Sequence, residues 1–499
     1  MSLKKGWIDF ATNGSIHGFK YMVDSSISVV ERVFWIIIVL CSLAASIYIT
    51  ILFWARYAAN PTRTIIQANF AQISTVPFPA VTICNVNKML NRKLDSLMDT
   101  LSASKEELNI TGNIISALMR TTSFYETSAA DDTKINNSTA LSIATTVLKR
   151  HGFLDISQVI PHISQGCDEM IHKCEWNRVE VPCQDLFSGL LTEDGRCCAF
   201  NYASSNDMTI KYTLYYGMST GLRITLHPEY NHRAIAGIIV TIHNPKNFPD
   251  GEQNLRKILP LGHAHYVQVG SIKQTCSEEV KKLDITFRKC VYSEERRLGL
   301  LGPYTYSNCL TLCKAHLSDE KCNCIPYYFQ LFLNKQICTF MDQQCLQNNV
   351  TTESFRDCNN CPAQCEEDVY DITLTSAKFT NNLDVWMEDY FSNFNETQKA
   401  ILLNIFFAFN GQTVWVTDTI TSGIYLISSF GGIYSLFLGC SIISIIEALY
   451  YLIRGHLFWQ KSINRNTIFP KQLSTNFIVL QSDKAQKSQN SFPIIPYIN

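Results

Sequence analysis

Two long apolar runs, one near each end, divide the chain into a short head, a wide mixed middle and a tail. The first, residues 33–54, reads VFWIIIVLCSLAASIYITILFW and carries no charge. About 20 such residues cross a bilayer core as a helix. A secretory signal would begin nearer Met1, hold a shorter apolar core and end on small residues. This run follows a long polar-mixed head and ends on Leu52, Phe53 and Trp54. Trp35 and Trp54 fall near its two ends, where amphipathic rings favour the interface. The second run lies between Asp418 and Arg454, and Glu447 is its only charged side chain. Read as one span over 422–453, it is longer than a straight crossing needs, and Gly423, Gly431, Gly432 and Gly439 punctuate it.

Between the runs the pattern changes. Residues 208–215, 222–226 and 237–243 alternate or are β-branched, which predicts strands. Residues 105–119, 141–151 and 277–283 carry helical spacing. No internal repeat or low-complexity linker interrupts the middle. The expected fold class is an α+β membrane protein: two transmembrane helices flank one large disulfide-rich mixed α/β ectodomain.

Charge sets the orientation. The tail holds Arg454, Lys461, Arg465, Lys471, Lys484 and Lys487 against Asp483, and the head holds Lys4, Lys5, Lys20 and Arg32. An excess of basic residues marks the cytoplasmic side. The expected layout in the plasma membrane is a cytoplasmic head over 1–32, a span over 33–54, an extracellular domain over 55–421, a second span over 422–453 and a cytoplasmic tail over 454–499. Seventeen of the 19 cysteines lie in the middle, and only Cys41 and Cys440 lie in the apolar runs. Five glycosylation sequons, at Asn109, Asn136, Asn137, Asn349 and Asn395, fall there too. A net charge of −1 gives no basic surface for nucleic acid.

The densest cysteines run Cys309, Cys313, Cys322, Cys324, Cys338, Cys345, Cys358, Cys361 and Cys365. Pairs this close can hold zinc, and His316 could add a nitrogen ligand. Outside the cell, however, thiols oxidise, and the spacing matches no common zinc module, so a disulfide ladder is the reading. His263 and His265 share one face of a strand-like segment and are read as solvated rather than as metal ligands. No motif for nucleophilic, metal-assisted or phosphate chemistry appears, which leaves no enzyme and no cofactor.

Glu447 carries chemistry by physics alone. A lone carboxylate in a membrane helix faces a water-filled cavity or a partner, or sits near enough to the cytoplasm to be solvated. Gly431, Ser435 and Gly439 form a small-residue face on which helices pack closely.

Four motifs, in order, resemble those of the degenerin/epithelial sodium channel family. Ser15-Ile16-His17-Gly18 resembles its cytoplasmic His-Gly motif, and Pro77-Phe78-Pro79-Ala80-Val81-Thr82-Ile83-Cys84-Asn85 its signature after the first span. Tyr306-Ser307-Asn308-Cys309 opens a cysteine ladder similar to the family's thumb. The run from Phe430 to Glu447 resembles the second span. Glu31-Arg32-Val33-Phe34-Trp35, Cys197-Cys198-Ala199-Phe200-Asn201 and Gly439-Cys440-Ser441 look most like insect pickpocket channels.

The resemblance implies a homo- or heterotrimer of related subunits that conducts sodium and is blocked by amiloride. It makes Gly439, Cys440 and Ser441 the narrow filter, with Cys440 where Ala or Ser is common. Glu447 becomes a pore carboxylate, Ser428 the position where bulk holds channels open, Ser435 a blocker contact, and His17 and Gly18 a gating turn. It pairs Cys84 with Cys197, Cys167 with Cys174, Cys290 with Cys365, Cys309 with Cys361, Cys313 with Cys358, Cys322 with Cys345 and Cys324 with Cys338. Cys183 is then expected to bond Cys198, leaving Cys276 odd. Residues 64–72, TIIQANFAQ, hold no histidine where acid-sensing relatives carry a pair, which disfavours proton gating of that type. Force, salt, osmolarity, pheromone and peptide stay open as stimuli, an extracellular ligand among them. The competing readings are a trimeric ligand-gated channel of another family and a ligand-binding or auxiliary subunit that conducts only in heteromers.

Overall fold

The computed structural model describes residues 3–466 apart from 60, 122–137, 204–208, 233, 252–254, 300–301, 344, 347–349, 351–357, 359, 381–398 and 421–422. The chain divides into two compact units, Met1–Ala55 with Gly423–Asn499, and Arg56–Ser422.

The first unit opens with helices α1 (Leu3–Asn13), α2 (Phe19–Val23) and α3 (Val29–Ala59). The α3 helix outgrows the apolar run at both ends. Ser28 caps it by accepting the Glu31 amide proton at 3.3 Å, and Glu31 and Arg56 suit the two ends of the helix dipole. Its 31 residues span about 46 Å at 1.5 Å per residue. Val33, Phe34, Ile37, Leu40 and Ile51 stay exposed along it, as side chains do when lipid is the solvent. Among the described residues it is the one unbroken helix long and apolar enough to cross a membrane.

The second unit is built on two sheets. The larger takes β1 (Thr62–Gln72), β3 (Ile171–Trp176), β4 (Val179–Glu180), β7 (Leu222–Leu226), β10 (His263–Cys276), β13 (Glu367–Lys378), β14 (Ile401–Phe407) and β15 (Gly411–Thr419). The smaller orders β5 (Phe187–Thr192), β6 (Gly195–Phe200), β2 (Ala80–Asn85), β8 (Gly237–His243) and β9 (Leu255–Pro260). β11 (Cys290–Val291) and β12 (Ala363–Gln364) form a separate two-stranded pair. β10 is the spine. β13 runs antiparallel on one side of it, while β14 and then β15 follow in parallel along the other. Phe78, Phe200, Phe407 and Ile83 are fully buried in the core associated with these strands.

Helices α4 (Asn91–Thr100), α5 (Lys105–Thr121), α6 (Ser138–Arg150), α7 (Ile156–Ile163) and α8 (Tyr306–Cys322) build the helical part of this unit. Leu94, Ile115, Leu118, Leu141, Leu148 and Ile160 close on Tyr327, Phe332 and Phe340. The α5 helix starts on a capping box, Ser104 and Glu107 exchanging side chain-to-amide bonds at 3.0 and 3.3 Å. Two expectations shrink. Residues 277–283 give only the turn Glu278–Lys281, capped by Ser277. Residues 209–215 form no strand beyond an isolated bridge from Tyr212 to Pro77, because the Asn201 side chain takes the Lys211 amide at 2.6 Å in place of a ladder partner. Asn109 is exposed on α5; Asn136, Asn137, Asn349 and Asn395 lie outside the described residues.

Eight disulfides staple this unit. Cys84 bonds Cys197, and the ladder pairs Cys290 with Cys365, Cys309 with Cys361, Cys313 with Cys358, Cys322 with Cys345 and Cys324 with Cys338. Two expected pairs change. Cys167 bonds Cys198 instead of Cys174, and Cys174 bonds Cys183. Alternation explains it: Cys197 and Cys198 are neighbours on β6 and point to opposite faces. One face meets Cys84 of β2 and the other meets Cys167. Cys174 then closes the short loop around the β3–β4 hairpin onto Cys183. Cys276 is free, with Cys41 and Cys440.

The first unit is completed by α9 (Gly423–Leu438) and α10 (Ile442–Asn466). The single span expected over 422–453 is therefore two helices, bent by 70° at a break of three residues. The break falls at Gly439. Its φ of +63° is left-handed, a conformation that ends helices and suits glycine.

Candidate functional site

The break is held from both sides. After it, Ser441 caps α10: the Ser444 amide donates to Ser441 Oγ at 3.3 Å, and the Ser441 amide donates to Ser444 Oγ at 3.0 Å. This is a capping box with serine in the place of the usual glutamate. Before it, the Cys440 amide reaches back to the Tyr434 carbonyl at 3.3 Å.

The turn between α1 and α2 fills the kink. The His17 amide donates to the Leu438 carbonyl at 3.0 Å, satisfying an acceptor that the end of α9 leaves free. The His17 ring covers Gly439 so closely that a β-carbon there would lie 2.6 Å from its Nδ1 and Cε1. Gly18 is required for its own reasons. Its φ is +84°, and a β-carbon would stand 2.6 Å from Val39 Cγ2. The Ser15 amide donates to Glu447 Oε2 at 3.0 Å, and the Ser15 and Ser444 hydroxyls share a hydrogen bond at 2.6 Å. Glu447 thus has a named partner and is neither bare in an apolar helix nor fully solvated.

Aromatic packing fixes that turn. Phe10 of α1 meets Tyr451 of α10 at 5.8 Å between ring centroids, and Trp7 and Phe19 close on Phe10. Tyr21 stacks on Trp35 of α3 at 4.6 Å. Such pairs contribute roughly 0.5–1.5 kcal/mol each beyond burial.

His17, Gly18, Gly439, Ser441 and Glu447 therefore converge. Ser428 and Ser435 do not join them; their side chains are exposed on α9, seven residues apart and so on one helix face. The role of Ser444 escaped the sequence reading, although Ser-x-x-Ser opening a helix was its signal. His263 and His265 are not solvated loop residues. They lie on β10 with rings 5.8 Å apart, and His265 is buried, bonding Ser376 Oγ and the Pro260 carbonyl. Burial lowers its pKa from the ordinary histidine value.

A second electrostatic cluster lies in the β-rich unit. Glu193 and Asp194 are the two-residue turn between β5 and β6. Arg256 bonds Asp194 at 2.7 Å and Lys314 of α8 bonds Asp250 at 2.8 Å. Glu193 is the odd acid, 3.6 Å from Arg256, and accepts the Gly251 amide at 3.0 Å. Burial, then the charges of Asp250 and Asp194, push its carboxyl up to about 8 against the pull of Arg256 and Lys314.

A model of the amiloride-sensitive sodium channel family matches residues 10–451 of this chain. The chain belongs to that family. Its similarity to the sodium channel protein Nach of Drosophila ananassae is 27% identity, covering 90% of this chain and 87% of that one. Pickpocket protein 28 of Drosophila melanogaster is 23% identical over 90% of this chain and 78% of its own. The human bile acid-sensitive ion channel is 26% identical over 90% of this chain and 86% of its own. Members of the family are multimeric ion channels of the plasma membrane, not enzymes, and the insect pickpocket-like character read from the local motifs agrees with these relatives.

Proposed function

We propose that the chain is one subunit of a trimeric, amiloride-sensitive, sodium-permeable cation channel with both termini cytoplasmic. The α9–α10 pair is the second span and the pore wall, with Gly439, Cys440 and Ser441 as its filter. The observation that carries this reading is the His17–Gly439 contact: the turn between α1 and α2 seated on the break of an apolar helix pair. A broken helix exposes backbone carbonyls, and these can replace part of a cation's hydration shell. Backbone at membrane depth is tolerated only where protein buries it or water lines it.

Under threefold symmetry Glu447 contributes a ring of three carboxylates that draws cations and rejects anions. Ser428 and Ser435 share an exposed face of α9, which suits a gating position and a blocker contact on a pore surface. The stimulus is extracellular or mechanical, in a sensory or epithelial setting.

Expression in oocytes tests this. The chain, alone or with sister subunits, gives amiloride-sensitive inward sodium current, and Ser435→Cys is modified from outside in the open state. Absence of current in every combination, with surface protein present, rejects it. Current only with a sister subunit identifies an obligate heteromer.

A further inference from the structure

Cys276 stands beside a disulfide. Its Sγ and those of Cys290 and Cys365 all lie within 4.8 Å of one another, although Cys290 and Cys365 are bonded to each other. The Cys276 thiol points at the Cys365 carbonyl at 3.3 Å. Cys276 packs against both bonded cysteines and Tyr292, and is itself partly exposed.

The strand pairing brings Cys276 and Cys365 to the same end of the β10–β13 pair. β10 and β13 pair antiparallel from His263 with Lys378 to Gln274 with Glu367. The ladder stops there: Cys276 lies two residues past it at the end of β10, and Cys365 lies two residues before it, in the bend that leads into β13. Cys365 therefore has two partners near at hand: Cys290, which it holds, and Cys276, whose Sγ lies within 4.8 Å of its own.

We propose that Cys276, Cys290 and Cys365 form a thiol–disulfide exchange centre, in which Cys276 takes Cys365 from Cys290 and closes a disulfide between the end of β10 and the bend before β13. The Cys276 thiolate attacks Cys365 Sγ, the Cys276–Cys365 bond forms and the Cys290–Cys365 bond breaks. The electron pair leaves on Cys290 Sγ, which takes up the proton that Cys276 gave to solvent. One thiol and one disulfide exist before and after, so no oxidant is needed.

Exchange moves a covalent tie from β11, at the base of the cysteine ladder, to the end of β10. That end matters mechanically. Cys276 is paired with Thr417 of β15, and Ser277 bonds Asp418 at 2.7 Å, a few residues before α9 begins. The tie thus shifts toward the strand that runs on to the second apolar segment. Burial and the Glu366 carboxylate raise the Cys276 pKa, opposed by the nearby Tyr292 and Thr417 hydroxyls and by Arg288; Lys281 lies over the Tyr292 ring. Exchange is accordingly slow at neutral pH and faster in alkali, where more thiolate is present.

The test uses the full chain, purified in detergent and held without reductant at pH 6 to 9. Samples are quenched in acid, alkylated with N-ethylmaleimide and mapped by non-reducing mass spectrometry. The expected result is a Cys276–Cys365 peptide together with alkylated Cys290, its initial rate rising about tenfold per pH unit below the thiol pKa. Cys276→Ser abolishes it and leaves Cys290–Cys365 intact. In Cys290→Ser, Cys276–Cys365 forms during folding in the cell. Alkylated Cys276 with only Cys290–Cys365 at every pH, in protein whose other ladder bonds persist, overturns the proposal. So does a free Cys365 in surface-expressed Cys290→Ser.

Discussion

The Ser15 amide donates to Glu447 Oε2 across 3.0 Å, although 432 positions separate the two residues. The same serine bonds Ser444, which caps the helix that carries Glu447. The head of the chain is thereby tied to the one acid of the second apolar run.

That tie separates two roles of Glu447. Glu447→Gln keeps an oxygen acceptor for Ser15 and removes the charge, so it should lower unitary sodium current, by roughly twofold or more if the carboxylate lines the pore, with surface expression unchanged. Glu447→Ala removes the acceptor too and should also change open probability. Single-channel recording of both variants distinguishes them. Equal effects would mean that charge alone matters.

Gly439 is constrained by both φ and space. Gly439→Ala should cost about 1–3 kcal/mol for its left-handed backbone and contact with the His17 ring. Adding His17→Ala should relieve the contact and leave the backbone cost. A double-mutant cycle on whole-cell channel current reads this as coupling of opposite sign to the single losses. Simple additivity would mean that the two residues do not touch in the working channel.

Glu193 gives the ectodomain an acid-favouring slope. Its folded pKa of about 8 lies above the unfolded carboxylate value. Between the two, the folded state binds the extra proton, so stability is greatest below the unfolded pKa and falls as pH rises toward 8, by a few kcal/mol at most. Glu193→Gln should flatten thermal stability between pH 5 and 8. His243 slopes the other way: it is buried, its pKa lowered to about 4, and the stability of the neutral ring is lost as pH falls from its unfolded value toward 4. A variant in which His243 is replaced should therefore expose the Glu193 slope more fully.

The changed disulfides are open to direct mapping. In Cys167→Ala, Cys198 should become the alkylatable thiol while Cys174 stays bonded to Cys183. A free Cys174 would restore the other pairing. In the chain-entropy model, removing Cys167–Cys198 should destabilise the domain by about 3–4 kcal/mol and removing the shorter Cys174–Cys183 loop by about 2–3, read by denaturant unfolding of surface-expressed protein.

Much was legible in the chain because its signals are local. An uncharged run of helix-spanning length announces α3, β-branched runs announce β7 and β8, and helical spacing announces α5 and α6 close to where they lie. The ladder cysteines and the post-span signature declare the family. The second apolar run is equally clear as composition.

Contacts between distant segments were not legible. Adjacent cysteines on β6 choose opposite partners only because a strand alternates its faces, which decides Cys167 and Cys174 against the shorter-range pairing. The apolar pattern says nothing about a kink, since Gly439 could as well have packed within a straight helix; the His17 ring and the Leu438 carbonyl choose the break. Sequence by itself thus determined which segments are apolar, which are oxidised and to which family they belong, because composition and spacing act over a few residues. Only the tertiary structure decided that Ser15 and His17 meet Glu447 and Gly439, because such a contact depends on how both ends of the chain fold back together.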